Sequence, residues 1–467
     1  MCIKNENMTE NTELTLNNFY IFNKNYGQTE GEEEQKVMYY YPVKTNIDVQ
    51  IKNIGLSEAI IQFTETFNPT CPCESLHTQK TRHIYFQPEE NFWMVMTVNV
   101  PTTSSAEGKA YHGDDVQNVV CLAVLKQAYY MARLFLGPFY KLINIDNGDP
   151  SILKQKLDHF YNRYLPRLRL QHCDILDVFQ GVQFLPLDKQ TFLHIQCFAN
   201  LIESTFADID YIAFLYNERL IWSGLEPDDM QVVFKYLVTN LLPAFHELEQ
   251  QSSTKSSKNS ARFVTGPANL HNPDDNIGKI PRLYLRKIEP EPCFYQLVVY
   301  KMLGATICFF INEKVTLTVE MFRLWDAFMS PRLVKVVPLV TEYANKHNSM
   351  SSPSEGASRF VYFNRMNLAM KTTIHQDQRK TGNIAVTPQV LKILADINAQ
   401  HQRMLELGCP TSETVLKTTS DYWVVGKMSN AREFYVAIQH KNANLIEINE
   451  EVKRICDNEL RSIFFHV

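Results

Sequence analysis

Apolar positions along this chain keep two rhythms, and the rhythms alternate in a repeating order. At 211–216 the run YIAFLY reads as a strand, Asn217, Glu218 and Arg219 turn the chain, and 220–223 returns it as the second arm of a hairpin. Glu226, Pro227, Asp228 and Asp229 then open a helix. Proline lacks only an N–H that the first turn does not use, and the carboxylates offset the positive end of the helix dipole. Met230, Val233, Leu237 and Leu241 follow at spacings of three and four, one face of a helix.

The same order occurs twice more. Near the start, NFYIF at 18–22 and KVMYYY at 36–41 predict a hairpin around the acidic run 30–34, which reads as a solvated loop tip. A helix over 51–67 follows, with Leu56, Ile60, Phe63 and Phe67 as its expected core face. The stretch 68–82 reads as a loop, and FWMVMTV at 92–98 as a strand covered on both faces. Helices are expected over 114–135, 151–165 and 188–206, and no fifth strand is evident. In the last copy, 360–363 and 368–374 pair. Thr387 and Pro388 open a helix with Val390, Leu394 and Ile397 on its apolar face. Three strands follow at 415–418, 422–427 and 433–438, then a helix capped by Asn449 with Val452, Ile455 and Leu460 inward. Between these copies, 294–301 and 305–311 form a hairpin at Gly304, and Pro331 is expected to separate helices over 318–329 and 331–343.

Hairpins require antiparallel pairing. The predicted fold class is therefore α/β of the α+β type: three modules, each an antiparallel sheet sandwiched by helices. The expected boundaries are a disordered tail over 1–17, a first module over 18–207 with extra helices, a second over 208–346 with a flexible loop at 249–261, a linker at 347–358, and a third module over 359–467.

Composition adds bounds. The 467 residues carry a formal charge of −5 with 21% charged residues, so no basic bias points to nucleic acid or an anionic membrane. No apolar run approaches a membrane span, and the polar N-terminus lacks the apolar core of a signal peptide. Ten scattered cysteines fit reduced thiols in the cytosol better than a disulfide framework.

Chemical motifs are sparse. There is no phosphate loop, no G-x-G-x-x-G, no H-E-x-x-H and no G-x-S-x-G. Cys71, Cys73, His77 and His83 are zinc-type ligands, but C-x-C is tighter than usual spacing and Pro72 stiffens it, so a loop with incidental thiols is the simpler reading. Lys80 and Arg82 suit phosphate or lipid headgroups, with a solvated loop as the plainer alternative. No catalytic residue, metal or cofactor is assigned. Three modules with apolar faces and no catalytic constellation imply a protein that works by its surfaces.

At IKNIGLSEAIIQF, SLHTQK, PEENFWMVM, AFLYNERLIWSGLE and SDYWVVGK the sequence resembles the vacuolar fusion protein Ccz family, in the same order and over nearly the whole chain. The resemblance implies three longin domains. It also implies pairing with a Mon-type three-longin subunit to form a guanine-nucleotide exchange factor for a late-endosomal Rab GTPase of the Rab-seven class. A third, larger scaffold subunit joins in animals. The implied roles are early-to-late endosome maturation and autophagosome–lysosome fusion, with a cytoplasmic chain recruited peripherally to endosomal, lysosomal and autophagosomal membranes. Carried over, the shared Rab platform involves 51–67 and 92–96, with Asn53, Glu58, Gln62, Phe92 and Trp93 as candidate contacts. A non-catalytic longin adaptor that scaffolds a vesicle-trafficking complex is the alternative.

Overall fold

The computed structural model describes residues 10–69, 73–105, 108–145, 148–251, 261–267, 269–270, 277–286, 293–350, 359–375 and 386–460. They form two compact units, divided between Val178 and Phe179.

The first unit is built on a five-stranded antiparallel sheet. Strands β1 (Thr15–Asn23) and β2 (Val37–Tyr41) make the hairpin, and helix α1 (Ile47–Phe67) follows. Strands β3 (Ser75–His77), β4 (Thr81–Glu89) and β5 (Phe92–Asn99) complete the order β2-β1-β5-β4-β3. Two strands lie where the sequence shows none: β3 falls within the expected loop over 68–82, and β4 has no place in that reading. Its polar start at Thr81, Arg82 and His83 hides the buried pair Ile84 and Tyr85, which lie opposite Met96 and Val95. The expected tail also differs: Glu10–Thr12 pairs with Thr102–Ser105 and β1 begins at Thr15, so residues 10–12 and 15–17 are in strands, while 1–9 lie outside the described residues.

Alternation along the strands sorts the core into two layers. Phe19, Ile21, Phe92, Met94 and Met96 point to helices α2 (Asn118–Leu136), α3 (Phe139–Ile145) and α4 (Ser151–Tyr164). Tyr20, Phe22, Tyr85, Trp93 and Val95 point the other way, to α1. The stretch Asn118–Asn144 is long and apolar enough to cross a membrane, but Leu125, Tyr129 and Ala132 fill this core instead.

The second unit carries two sheets. Strand β6 (Val182–Gln183) and helix α5 (Lys189–Thr205) precede the hairpin β7 (Tyr211–Tyr216) and β8 (Arg219–Ser223). Asn217 and Glu218 take positive φ of 44° and 61°, the twist a two-residue hairpin turn needs. Helices α6 (Pro227–Tyr236) and α7 (Leu242–Gln251) are joined by a π turn, and β9 (Arg262–Phe263), β10 (Arg282–Tyr284), β11 (Phe294–Met302) and β12 (Ala305–Asn312) follow. The sheet order is β8-β7-β12-β11-β9, with β10 also on β11.

Two expectations change here. Helix α5, assigned by sequence to the first module, buries Ile195, Phe198 and Ile202 in the second sheet's core. Its amphipathic spacing tells that it packs but not on which sheet. Helix α8 (Val319–Met350) runs unbroken through Pro331 and Pro338. Each interior proline costs about 3 kcal/mol, and burial of Met329, Leu333, Val337 and Val340 on both sides offsets it. Residues 347–350 of the expected linker are thus helical, as are 249–251 of the expected flexible loop; 252–260 and 351–358 lie outside the described residues.

The third sheet contains β13 (Arg359–Asn364), β14 (Ala369–Thr372), β15 (Thr411–Lys417), β16 (Tyr422–Ser429) and β17 (Arg432–Gln439). Helices α9 (Pro388–Glu406) and α10 (Leu445–Glu459) cover its faces. Its order is β15-β16-β17-β13-β14-β6, the last pair parallel. Thr387 caps α9 by accepting from the Val390 N–H, as expected. The cap of α10 is Asn444 rather than Asn449. Asn444 and Glu447 satisfy each other's backbone N–H groups in a capping box, which starts the helix one turn earlier.

Candidate partner-binding face

The face that distinguishes the first module is the outer side of α1. Asn46 caps the helix, its side chain accepting from the Asp48 N–H. The inward side is small and partly polar. Ile54, Ser57 and Ile61 are buried, and Ser57 Oγ lies 2.6 Å from the Tyr20 hydroxyl. Asn53 Nδ2 donates to the Tyr40 hydroxyl at 2.6 Å, and the Tyr20 and Tyr40 rings stack at 5.3 Å. Burial pushes both phenols up, so they stay protonated.

The outward side is apolar. Leu56, Phe63 and Phe67 are 53%, 63% and 74% exposed, and Val49 is also exposed. Phe63 and Phe67 meet edge to face at 4.9 Å. This corrects the phase expected from sequence: Leu56, Phe63 and Phe67 were assigned to the core and face solvent, with Ile60 half-buried. The reason is physical. The helix is apolar on several sides, so spacing alone does not say which side meets the sheet, and a tyrosine-lined sheet selects Asn53 and Ser57.

The five candidate contacts separate. Gln62 is exposed on α1. Glu58 is half-buried and pairs with Lys36 at 2.6 Å, tying α1 to the start of β2. Asn53 is half-buried and engaged with Tyr40. Phe92 and Trp93 are not on the surface: they are 2% and 1% exposed. Phe92 packs edge to face on Phe139 at 5.4 Å. Trp93 lies under α1, with Lys24 Nζ 5.2 Å from its ring centroid. The strand that carries them is the middle of the sheet, where alternate side chains enter opposite cores.

The loop with zinc-type residues is dispersed. Cys71 lies outside the described residues. His77 Nε2 is held by Asn118 Nδ2 at 2.6 Å, and His83 sits between Thr81 and Thr97, each hydroxyl at 3.1 Å. Burial raises the Cys73 thiol, which disfavours the nucleophilic thiolate. Among the described residues no three His, Cys, Asp or Glu side chains gather as a metal site. Arg82 Nη2 donates to the Gly113 carbonyl at 2.8 Å and is engaged within the module.

Comparisons with known proteins agree with this architecture. The family profile described as "First Longin domain of INTU, CCZ1 and HPS4" matches residues 16–137. "Intu longin-like domain 2" matches 209–330, and "Intu longin-like domain 3" matches 354–455. The chain is a three-longin-domain protein. A relative in Nematostella vectensis, named "Vacuolar fusion protein CCZ1 homolog", is 45% identical over 96% of this chain and 98% of its own length. Relatives of the same name in Xenopus tropicalis and Dictyostelium discoideum are 42% and 28% identical, each over 97% of this chain and covered over 97% and 98% of their lengths. The chain belongs to the vacuolar fusion protein CCZ1 family.

Proposed function

We propose that the chain is one subunit of a heterodimeric guanine-nucleotide exchange factor. It pairs with a Mon-type three-longin subunit and activates a late-endosomal Rab GTPase of the Rab-seven class. The observation that carries this reading is the outward apolar face of α1, in a chain whose relatives are named for vacuolar fusion. Fully burying a leucine or phenylalanine contributes roughly 1.5–3 kcal/mol. Leu56, Phe63 and Phe67 together therefore suit a permanent partner better than solvent.

The activity is a population shift. A Rab holds its nucleotide through switch segments and Mg²⁺. A platform that binds the open, nucleotide-free form better than the loaded form drives release by that difference alone. No bond is made or broken, so no catalytic side chain is required of this chain. On this reading Gln62, with Glu58 and Asn53 beside it, lies at the margin where partner and Rab meet, while Trp93 braces α1 from beneath and Phe92 packs in the opposite layer against Phe139. A larger scaffold subunit and peripheral recruitment to late-endosomal, lysosomal and autophagosomal membranes complete the proposal, with roles in endosome maturation and autophagosome–lysosome fusion.

The test is release of labelled GDP from the Rab by the co-purified pair and by each subunit alone. Strong acceleration by the pair and little by this chain alone is expected. A stable pair that leaves release unchanged would instead make the chain a longin adaptor.

A further inference from the structure

Helix α8 spans 32 residues, and its two sides are both apolar. Phe322, Trp325, Met329, Leu333, Val337 and Val340 are buried against the second sheet. The opposite side exposes Leu324, Ala327, Pro331, Val334 and Pro338. Their spacing is three, four, three, four, the 3.5-residue repeat with which one helix packs along another. Leu324 and Val334 are 60% and 52% exposed. Proline has no N–H, so Pro331 and Pro338 also leave the carbonyls of Ala327 and Val334 without their helical donors, both on this side. Helix α5, which shares the sheet face, adds an exposed row of Leu193, Cys197 and Leu201.

Charge says what kind of partner fits. Arg332 lies over the Phe328 ring at 3.7 Å and donates to the Phe328 carbonyl at 2.8 Å, and Lys335 is exposed beside Val334. Neither has a carboxylate partner among the described residues, whereas Arg323, nearer the start of the helix, is paired with Glu320 at 3.1 Å. The middle of the stripe is thus apolar with an unneutralised basic flank.

We propose that the outer face of α8 docks an amphipathic helix from a partner protein, with apolar residues at heptad spacing and carboxylates along its flank. This face belongs to the second module and is independent of the α1 reading.

The test uses a labelled synthetic helix of four heptads with leucine in the seam and glutamate flanking it. Its binding to the full chain is followed by fluorescence anisotropy, and hydrogen exchange locates it. Binding is expected, with protection over 319–345. Leu324→Asp with Val334→Asp should weaken it at least about ten-fold, in the range of central interface residues. Lys335→Glu, a surface change that leaves the apolar side intact, should weaken it less and favour a lysine-flanked version of the same helix. Leu56→Asp with Phe63→Asp on α1 should leave it unchanged. No binding, binding insensitive to the α8 changes, loss caused by the α1 changes, or equal preference for both flanking charges would each overturn the proposal. So would α8-dependent binding to phosphatidylserine vesicles, or α8-dependent self-association, without binding of the peptide.

Discussion

Helix α9 shows solvent Gln389, Asp396, Gln400 and Arg403, while α1 shows Val49, Leu56, Phe63 and Phe67. Both helices follow the first hairpin of a longin module and lie on its sheet. Their inward sides differ in the reverse sense. α9 buries Val390, Leu394 and Ile397, with Asn398 and His401 at its far end, and α1 buries Ile54, Ser57 and Ile61. One topology therefore supports two uses. In α9 the hydrophobic side is spent within the module. In α1 an apolar row is turned away from the sheet, and this is the face proposed above to meet the partner.

The largest effect that sharpens this contrast is on association. Leu56→Asp with Phe63→Asp should weaken binding of the Mon-type subunit about 100-fold, as expected for central interface residues. The thermal midpoint should barely move, because both positions face solvent; isothermal calorimetry and a melt measure the two together. Ile61→Ala, on the inward side, should do the opposite. It should destabilise the first unit by about 2–4 kcal/mol through lost burial and a residual cavity, read by urea denaturation, while the variant that remains folded binds the partner normally. Tyr20→Phe removes the hydroxyl bonded to Ser57 and should cost about 1 kcal/mol.

A smaller effect lies in pH. Burial holds His401 below the ordinary imidazole value of 6.5. Its Nδ1 lies 3.2 Å from the Tyr435 hydroxyl, which donates to Glu433; Arg365 pairs with Glu433 from the β13–β14 turn. The unfolded chain takes up a proton at a pH where the folded chain does not. Stability present above about pH 6.5 is therefore lost as the pH falls from there through the lower folded value. His401→Asn, which keeps a donor toward Tyr435, should flatten that slope in melts between pH 7.5 and 5.5, although His83, shifted the same way by burial in the first unit, keeps its own contribution. The smallest expected effect is on the outer side of α9. Gln400→Asp should leave both partner binding and stability unchanged within error. A loss of binding there would break the contrast with α1.

Much of the fold was legible because strands and helices advertise themselves by different periods. The nearly unbroken apolar run 92–98 gave its two-sided burial directly, and Val390, Leu394 and Ile397 gave the inward side of α9. What was not legible depends on partners distant in sequence. The phase of α1 is set by Tyr20 and Tyr40, which accept Asn53 and Ser57 as neighbours. The sheet that receives α5 is set by residues far along the chain, among them Phe328 against Phe206 at the end of the helix. Continuity of α8 across Pro331 is decided by burial on both sides of the break. The candidate site was legible as an element but not as a face. Sequence pointed to α1, Phe92 and Trp93; the structure keeps α1 at the surface and places the two aromatic rings inside. A signal was present in the excess of apolar residues on α1, more than one buried side can absorb.

The most direct measurement of the central claim is the affinity of this chain for the Mon-type subunit, wild type against Leu56→Asp/Phe63→Asp, with Gln400→Asp as the matched control. A large loss confined to the α1 variant, with all three proteins melting together, is the predicted result. Equal affinity of all three would contradict the claim that the outward face of α1 is where this protein meets its partner.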